Sequence, residues 1–129
     1  MKRVDEQETI PTVLVIAQDG LLQALVRSLT LEGYVVLSAN NDVEAVGVVI
    51  SQSRPIHILL ADVNINGYRL ARALKQYRPD MQTLFISTHP QQSSDVLDLR
   101  TALPRVRQLL KPVKEIAADA HWKGLAATA

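Results

Sequence analysis

The stretch Pro55–Asn64, PIHILLADVN, decides how this chain is read. A proline opens it, the run Ile56–Ala61 follows, apolar but for His57, and Asp62 closes it before a polar loop. A run that short, bounded by a breaker, reads as a strand buried on both faces of a sheet. Two other strand-like segments end in a comparable way. Leu84–Ile86 stops at Ser87, and Val106–Leu110 runs into Lys111-Pro112. One carboxylate, one hydroxyl and one ammonium therefore fall at the carboxyl ends of three strand-like segments. In an open parallel sheet those ends share an edge, and that edge is where such folds place their chemistry.

Outward from this stretch the chain alternates. Residues 1–11 are polar and read as a frayed, flexible terminus, and Thr12–Ala17 (TVLVIA) reads as the first strand. Gln18-Asp19-Gly20 breaks it, with Asp19 as the expected helix N-cap. Leu21, Leu22, Leu25, Val26 and Leu29 recur at helical spacing until Gly33 stops them. Tyr34–Ser38 is the expected second strand. Asn40-Asn41-Asp42 supplies cap chemistry for a helix with Val43, Val46 and Ile50 on its face. After the strand ending at Asp62, Val63–Gly67 (VNING) is a loop leading into a helix that carries Tyr68, Ala71, Leu74 and Tyr77. Gln82–Ile86 is the fourth strand, Asp95–Leu103 a short helix ended by Pro104, and Arg105–Leu110 the fifth strand. Pro112 opens a last helix with Val113, Ile116, Ala117 and Ala120 on one face. Five strands alternating with five helices imply right-handed crossovers and an α/β fold with a parallel sheet.

The bulk numbers agree with that reading. At 129 residues, 47% of them hydrophobic, one domain with a real core is expected, spanning 12–123, with 124–129 as a tail. Aromatics are only 4%, so the core is aliphatic, which suits strands covered by helices. A net charge of +1 with interspersed signs gives no push towards nucleic acid or membrane. Arg100, Arg105 and Arg107 read as a solvated face or a protein contact. The absence of cysteine excludes disulfides, thiolate metal sites and cysteine catalysis. No apolar run approaches the ~20 residues of a membrane helix, and the amino terminus lacks an apolar signal core. A cytoplasmic protein is expected.

These residues resemble the receiver domain of bacterial two-component response regulators, over roughly Thr12 to Trp122. LLADVN, FIST and LLKP carry the resemblance by their order and spacing, and LEGYVVLSANNDVEAV is similar to the usual second strand and turn. The resemblance implies a flavodoxin-like sheet ordered 2-1-3-4-5. It implies that Asp62 is the phosphoacceptor for a histidine kinase, phosphotransfer protein or small donor. Lys111 and the Ser87 hydroxyl would then hold phosphoryl oxygens, with Thr88 in place of Ser87 if the register slips by one. The physical logic is general: a carboxylate attacking phosphorus needs cations or donors to offset charge on the oxygens. Beyond self-phosphorylation and self-dephosphorylation no enzyme activity is expected, and output would run through a downstream protein partner.

The chain also departs from that pattern. The two acids that receivers place after the first strand, to hold magnesium, fall here on Ala17 and Gln18. Magnesium wants hard oxygen ligands and usually one or two carboxylates. Asp62, the Gln18 amide oxygen and the Asn64 backbone carbonyl would remain, so a weak or absent magnesium site is expected. Asp19 stands one residue late for that role. The loop after Asp62 is about three residues shorter than in receivers and has Asn66-Gly67 instead of their proline. Gln108 replaces the aromatic switch residue expected three before the lysine. The short loops and proline-bounded fourth helix are reminiscent of atypical alphaproteobacterial receivers.

Each residue has a plainer reading. Asp62 could cap a turn, Ser87 is a common residue after a strand, and Lys111 could be an exposed strand-end lysine. Their weight comes from standing in register together. Asn64 and His89 each lie two residues beyond a site residue and by analogy border the phosphoryl group; His89 equally reads as a loop imidazole. His57 and His121 have no metal-site spacing and read as structural or surface residues. Trp122 reads either as a core-edge residue or as a partner anchor. Three functions compete: a phosphoacceptor receiver, a phosphorylation-independent pseudo-receiver acting as an interaction module, and an unrelated flavodoxin-like enzyme. Neither the dinucleotide nor the P-loop glycine pattern supports the last. A homodimer through the fourth helix, fifth strand and fifth helix stays open.

Overall fold

The computed structural model describes residues 10–88 and 96–111. Five parallel strands form one sheet in the order β2-β1-β3-β4-β5. They are β1 (Thr12–Ile16), β2 (Val35–Ala39), β3 (Ile58–Asp62), β4 (Gln82–Ile86) and β5 (Val96–Leu97). Four helices are described: α1 (Asp19–Leu31), α2 (Asp42–Ser51), α3 (Gly67–Lys75) and α4, over 99–111. A 3-10 turn, Val63–Ile65, joins β3 to α3. Among the described residues no helix is long and apolar enough to cross a membrane.

Every residue of β1 and β3 is buried, because helices cover both faces. Side chains of a strand alternate between faces, and here they feed two clusters. Val13 and Val15 of β1 join Leu21, Leu25 and Leu29 of α1 and Ala102, Val106 and Leu110 of α4. Leu14 and Ile16 join Ala45 and Val49 of α2 and Leu70, Ala71 and Leu74 of α3. At the end of α1, Gly33 adopts φ 90°, the left-handed conformation that a non-glycine residue rarely takes at a helix stop. Asn41 caps α2, its side chain accepting from Glu44 N at 2.8 Å.

Several expectations need correction. The expected fifth strand, Arg105–Leu110, is helical, and the fifth strand of the sheet is Val96–Leu97. The physical reason is the period. Leu99, Ala102, Leu103, Val106, Leu109 and Leu110 recur at three and four residues and pack as one stripe on the first cluster. That stripe runs through Pro104, which does not end the helix. In α2 the buried face is Ala45 and Val49, while Val43 and Ile50 are exposed. That helix is apolar nearly all round, so spacing alone did not select a face. Asp19 is the first residue of α1; Gln18 occupies the cap position, with no side-chain cap bond. The face expected for a homodimer was assembled from a short fourth helix and a strand, of which residues 99–110 form one continuous helix and Val96–Leu97 the fifth strand. The helix expected from Pro112, with His121 and Trp122, lies outside the described residues, as does His89.

Candidate functional site at the carboxyl rim of the sheet

Asp62 is the last residue of β3 and is 2% exposed. A buried carboxylate needs donors, and two are backbone N–H groups. Asn64 N donates to Oδ1 at 2.9 Å, which caps the 3-10 turn, and Gln18 N donates to Oδ2 at 3.4 Å across the sheet. Parallel pairing brings this about, since Ile16 of β1 sits beside Ala61 of β3. The Asn64 side chain then donates from Nδ2 to Ser87 Oγ at 3.2 Å. Ser87 is buried at the end of β4, and its N–H donates to Leu97 O at 2.9 Å, which ties the site to β5.

The tight loop after Asp62 depends on two residues. Asn66 turns the chain at φ 65°, a conformation that asparagine tolerates better than most residues. Gly67 then passes so near the strand end that a Cβ there would meet Asp62 O at 2.6 Å and Asp62 C at 2.9 Å. Only a residue without a side chain allows this approach, and it sets where Asn64 stands.

Asp62, Asn64, Ser87 and Gln18 are thus brought together at one rim. Lys111 is not among them. It is exposed and is the last described residue of α4, and the described length of that helix carries it about 20 Å from where the helix starts. Arg107, one turn earlier, reaches Glu32 Oε1 at 2.5 Å, and Glu32 caps the end of α1 just before β2 begins. That end of α4 therefore lies at the amino edge of the sheet, opposite Asp62. The residue that follows β5 at the rim is Asp98. Its carboxylate accepts from Thr101 N at 2.8 Å, and its own N–H donates to Thr101 Oγ1 at 3.0 Å, a reciprocal cap of α4. Hydrogen bonds from the Thr101 backbone and then its side chain lower the Asp98 pKa below the usual carboxylate value. The Asp98-x-x-Thr101 spacing was a readable cap signal, hidden by the assignment of a helix across it.

The donor set does not suit magnesium. Ala17 is fully buried with a methyl where a ligand would be wanted, and Gln18 meets Asp62 through its backbone N–H while its residue is exposed. Asn64 also offers donors here, its N–H to Asp62 and its amide to Ser87. Among the described residues no three His, Cys, Asp or Glu side chains cluster as metal ligands would. Asp19 opens α1 just beyond the end of β1, and Thr88 follows Ser87 beyond the end of β4. Pro112 is outside the described residues.

No family model matches the chain, and no curated protein matches it in sequence. Its fold, by contrast, is widely shared. A response regulator from Thermotoga maritima superposes with a TM-score of 0.66 at 20% identity, over 79% of this chain and 98% of that one. The receiver domain of the hybrid histidine kinase CckA gives 0.62 at 26% identity, over 78% and 98%. A response regulator protein from Burkholderia pseudomallei, solved with a phosphorylated aspartic acid, calcium ion and citrate, gives 0.63 at 16% identity over 88% and 74%. The chain has the receiver fold of response regulators, with its sheet in the order 2-1-3-4-5.

Proposed function

We propose that this chain is a receiver-type module of two-component signalling that works by docking to partner proteins, without needing a phosphoryl group on Asp62. One observation carries the reading: the buried carboxylate has backbone N–H partners, whereas Lys111 lies more than three turns along the helix that runs away from it. A phosphoryl group placed there would bring added negative charge to a rim whose Asp98 carboxylate is engaged in capping α4 and from which that helix carries Lys111 away. The partners fitting this reading are a histidine kinase or phosphotransfer protein on one side and a downstream protein on the other, in the cytoplasm. Asp62 then serves as a structural cap that holds the β3–α3 turn.

A second reading, phosphoacceptance on Asp62, is favoured by one feature. The Asn64 amide bridges from the Asp62 loop to the Ser87 hydroxyl, so an acid and an alcohol share one small site. Intact-mass measurement after incubation with acetyl phosphate and magnesium, with Asp62→Asn as control, separates the two. The docking reading expects no phosphoryl adduct. A stoichiometric adduct lost in the Asp62→Asn variant would install the second reading in its place.

A further inference from the structure

Strand β4 is less covered than β3. Gln82 is exposed and Thr83, Leu84 and Phe85 are half-buried, whereas β3 beside it is buried throughout. On the other side the described residues of β5 pair with Phe85 and Ile86. In a parallel ladder alternate residues direct both backbone groups to the same neighbour. Gln82 N donates to His57 O on the β3 side, and Ser87 N donates to Leu97 O on the β5 side. Thr83 therefore directs its N–H and C=O outward, and among the described residues β5 begins two positions too late to meet them.

A cavity of about 730 Å³ opens at this place, between β4 and α4. Thr83, Leu84 and Phe85 all line it, although successive strand residues point to opposite faces. A cavity that touches all three must run along the strand's edge. Tyr68 forms one wall, its ring 4.3 Å from that of Phe85. Arg100 and Arg105, both exposed on α4, form the other, and among the described residues no carboxylate lines the space.

We infer that this edge is a docking groove for an extended, acidic segment of a partner protein, added as a short strand beside β4. Backbone pairing at Thr83 would supply register, the Tyr68–Phe85 wall a place for an apolar side chain, and the two arginines selection for acidic residues. The inference deepens the docking reading by naming a surface and a partner chemistry. Its failure would leave the acetyl phosphate result, and hence that reading of Asp62, untouched.

The test uses the full chain, labelled with nitrogen-15, and a blocked hexapeptide of alternating glutamate and valine. Saturable shifts at Thr83, Leu84 and Phe85 are expected, with slowed exchange of the Thr83 amide. The double variant Arg100→Glu, Arg105→Glu should weaken binding about tenfold, and a lysine–valine peptide should not bind. Absence of saturable binding, or equal binding by the lysine peptide, would overturn the proposal. So would a Thr83 amide already protected in the free protein: in a monomer it would assign the edge to this chain's own residues, and in a concentration-dependent dimer to a second copy.

Discussion

Gly67 shows how much one missing side chain decides. Its Cβ would press on Asp62 backbone atoms, which cannot step aside as a flexible side chain could. Gly67→Ala should cost about 1–3 kcal/mol and disturb the Asn64–Ser87 bond, read respectively by urea unfolding and by the Ser87 amide shift. His57 is a second case. Its Nδ1 accepts from Thr12 N at 3.0 Å, so it ties the start of β3 to β1, and burial lowers its pKa below 6.5. A depressed folded value means that the unfolded chain binds the proton more readily. The contribution is complete above pH 6.5 and is lost as pH falls through the folded value. Unfolding midpoints should therefore drop on acidification from neutrality, and His57→Gln should flatten that slope. The plain structural reading of His57 was available from its place in a strand; the bond to Thr12 was not, because it spans elements.

At the scale of elements, the end of α2 is held by a clamp. The Arg78 guanidinium donates to Val49 O at 3.0 Å, to Arg54 O at 2.9 Å and to Gln52 O. Lysine has no planar fork to serve three carbonyls, so Arg78→Lys should cost about 1–3 kcal/mol in urea unfolding. In α4, Pro104 lacks the N–H that would bond to the carbonyl four residues before it. Pro104→Ala should raise helical circular dichroism and add about 1–3 kcal/mol of stability. A loss of stability would instead mark Pro104 as a boundary, with a strand beyond it. Here the breaker and the family pattern pointed one way and the apolar stripe of 99–110 the other. The stripe prevailed because six side chains gain burial on the sheet, while one proline forfeits one hydrogen bond. In α2, apolar on nearly every side, no periodicity could have named the buried face.

For the whole molecule, α4 is fastened at two places: at the rim by the Asp98–Thr101 cap and towards the amino edge by Arg107 and Glu32. Because the Asp98 pKa is depressed, its cap is complete above pH 3.8 and fails as pH falls below that value. Helical signal should decline there in the wild type, while Asp98→Asn, which keeps a capping oxygen, should lose that step. The sequence by itself determined the alternation of strands and helices as far as β4, the core residues of β1 and β3, and the rim position of Asp62 and Ser87, since local period and breakers carry that information. Which segment forms β5, on which pole Lys111 lies, and how Asn64 bridges to Ser87 were decided only in three dimensions. Those outcomes depend on competition between distant surfaces for burial and hydrogen bonds, and short-range pattern does not record that competition.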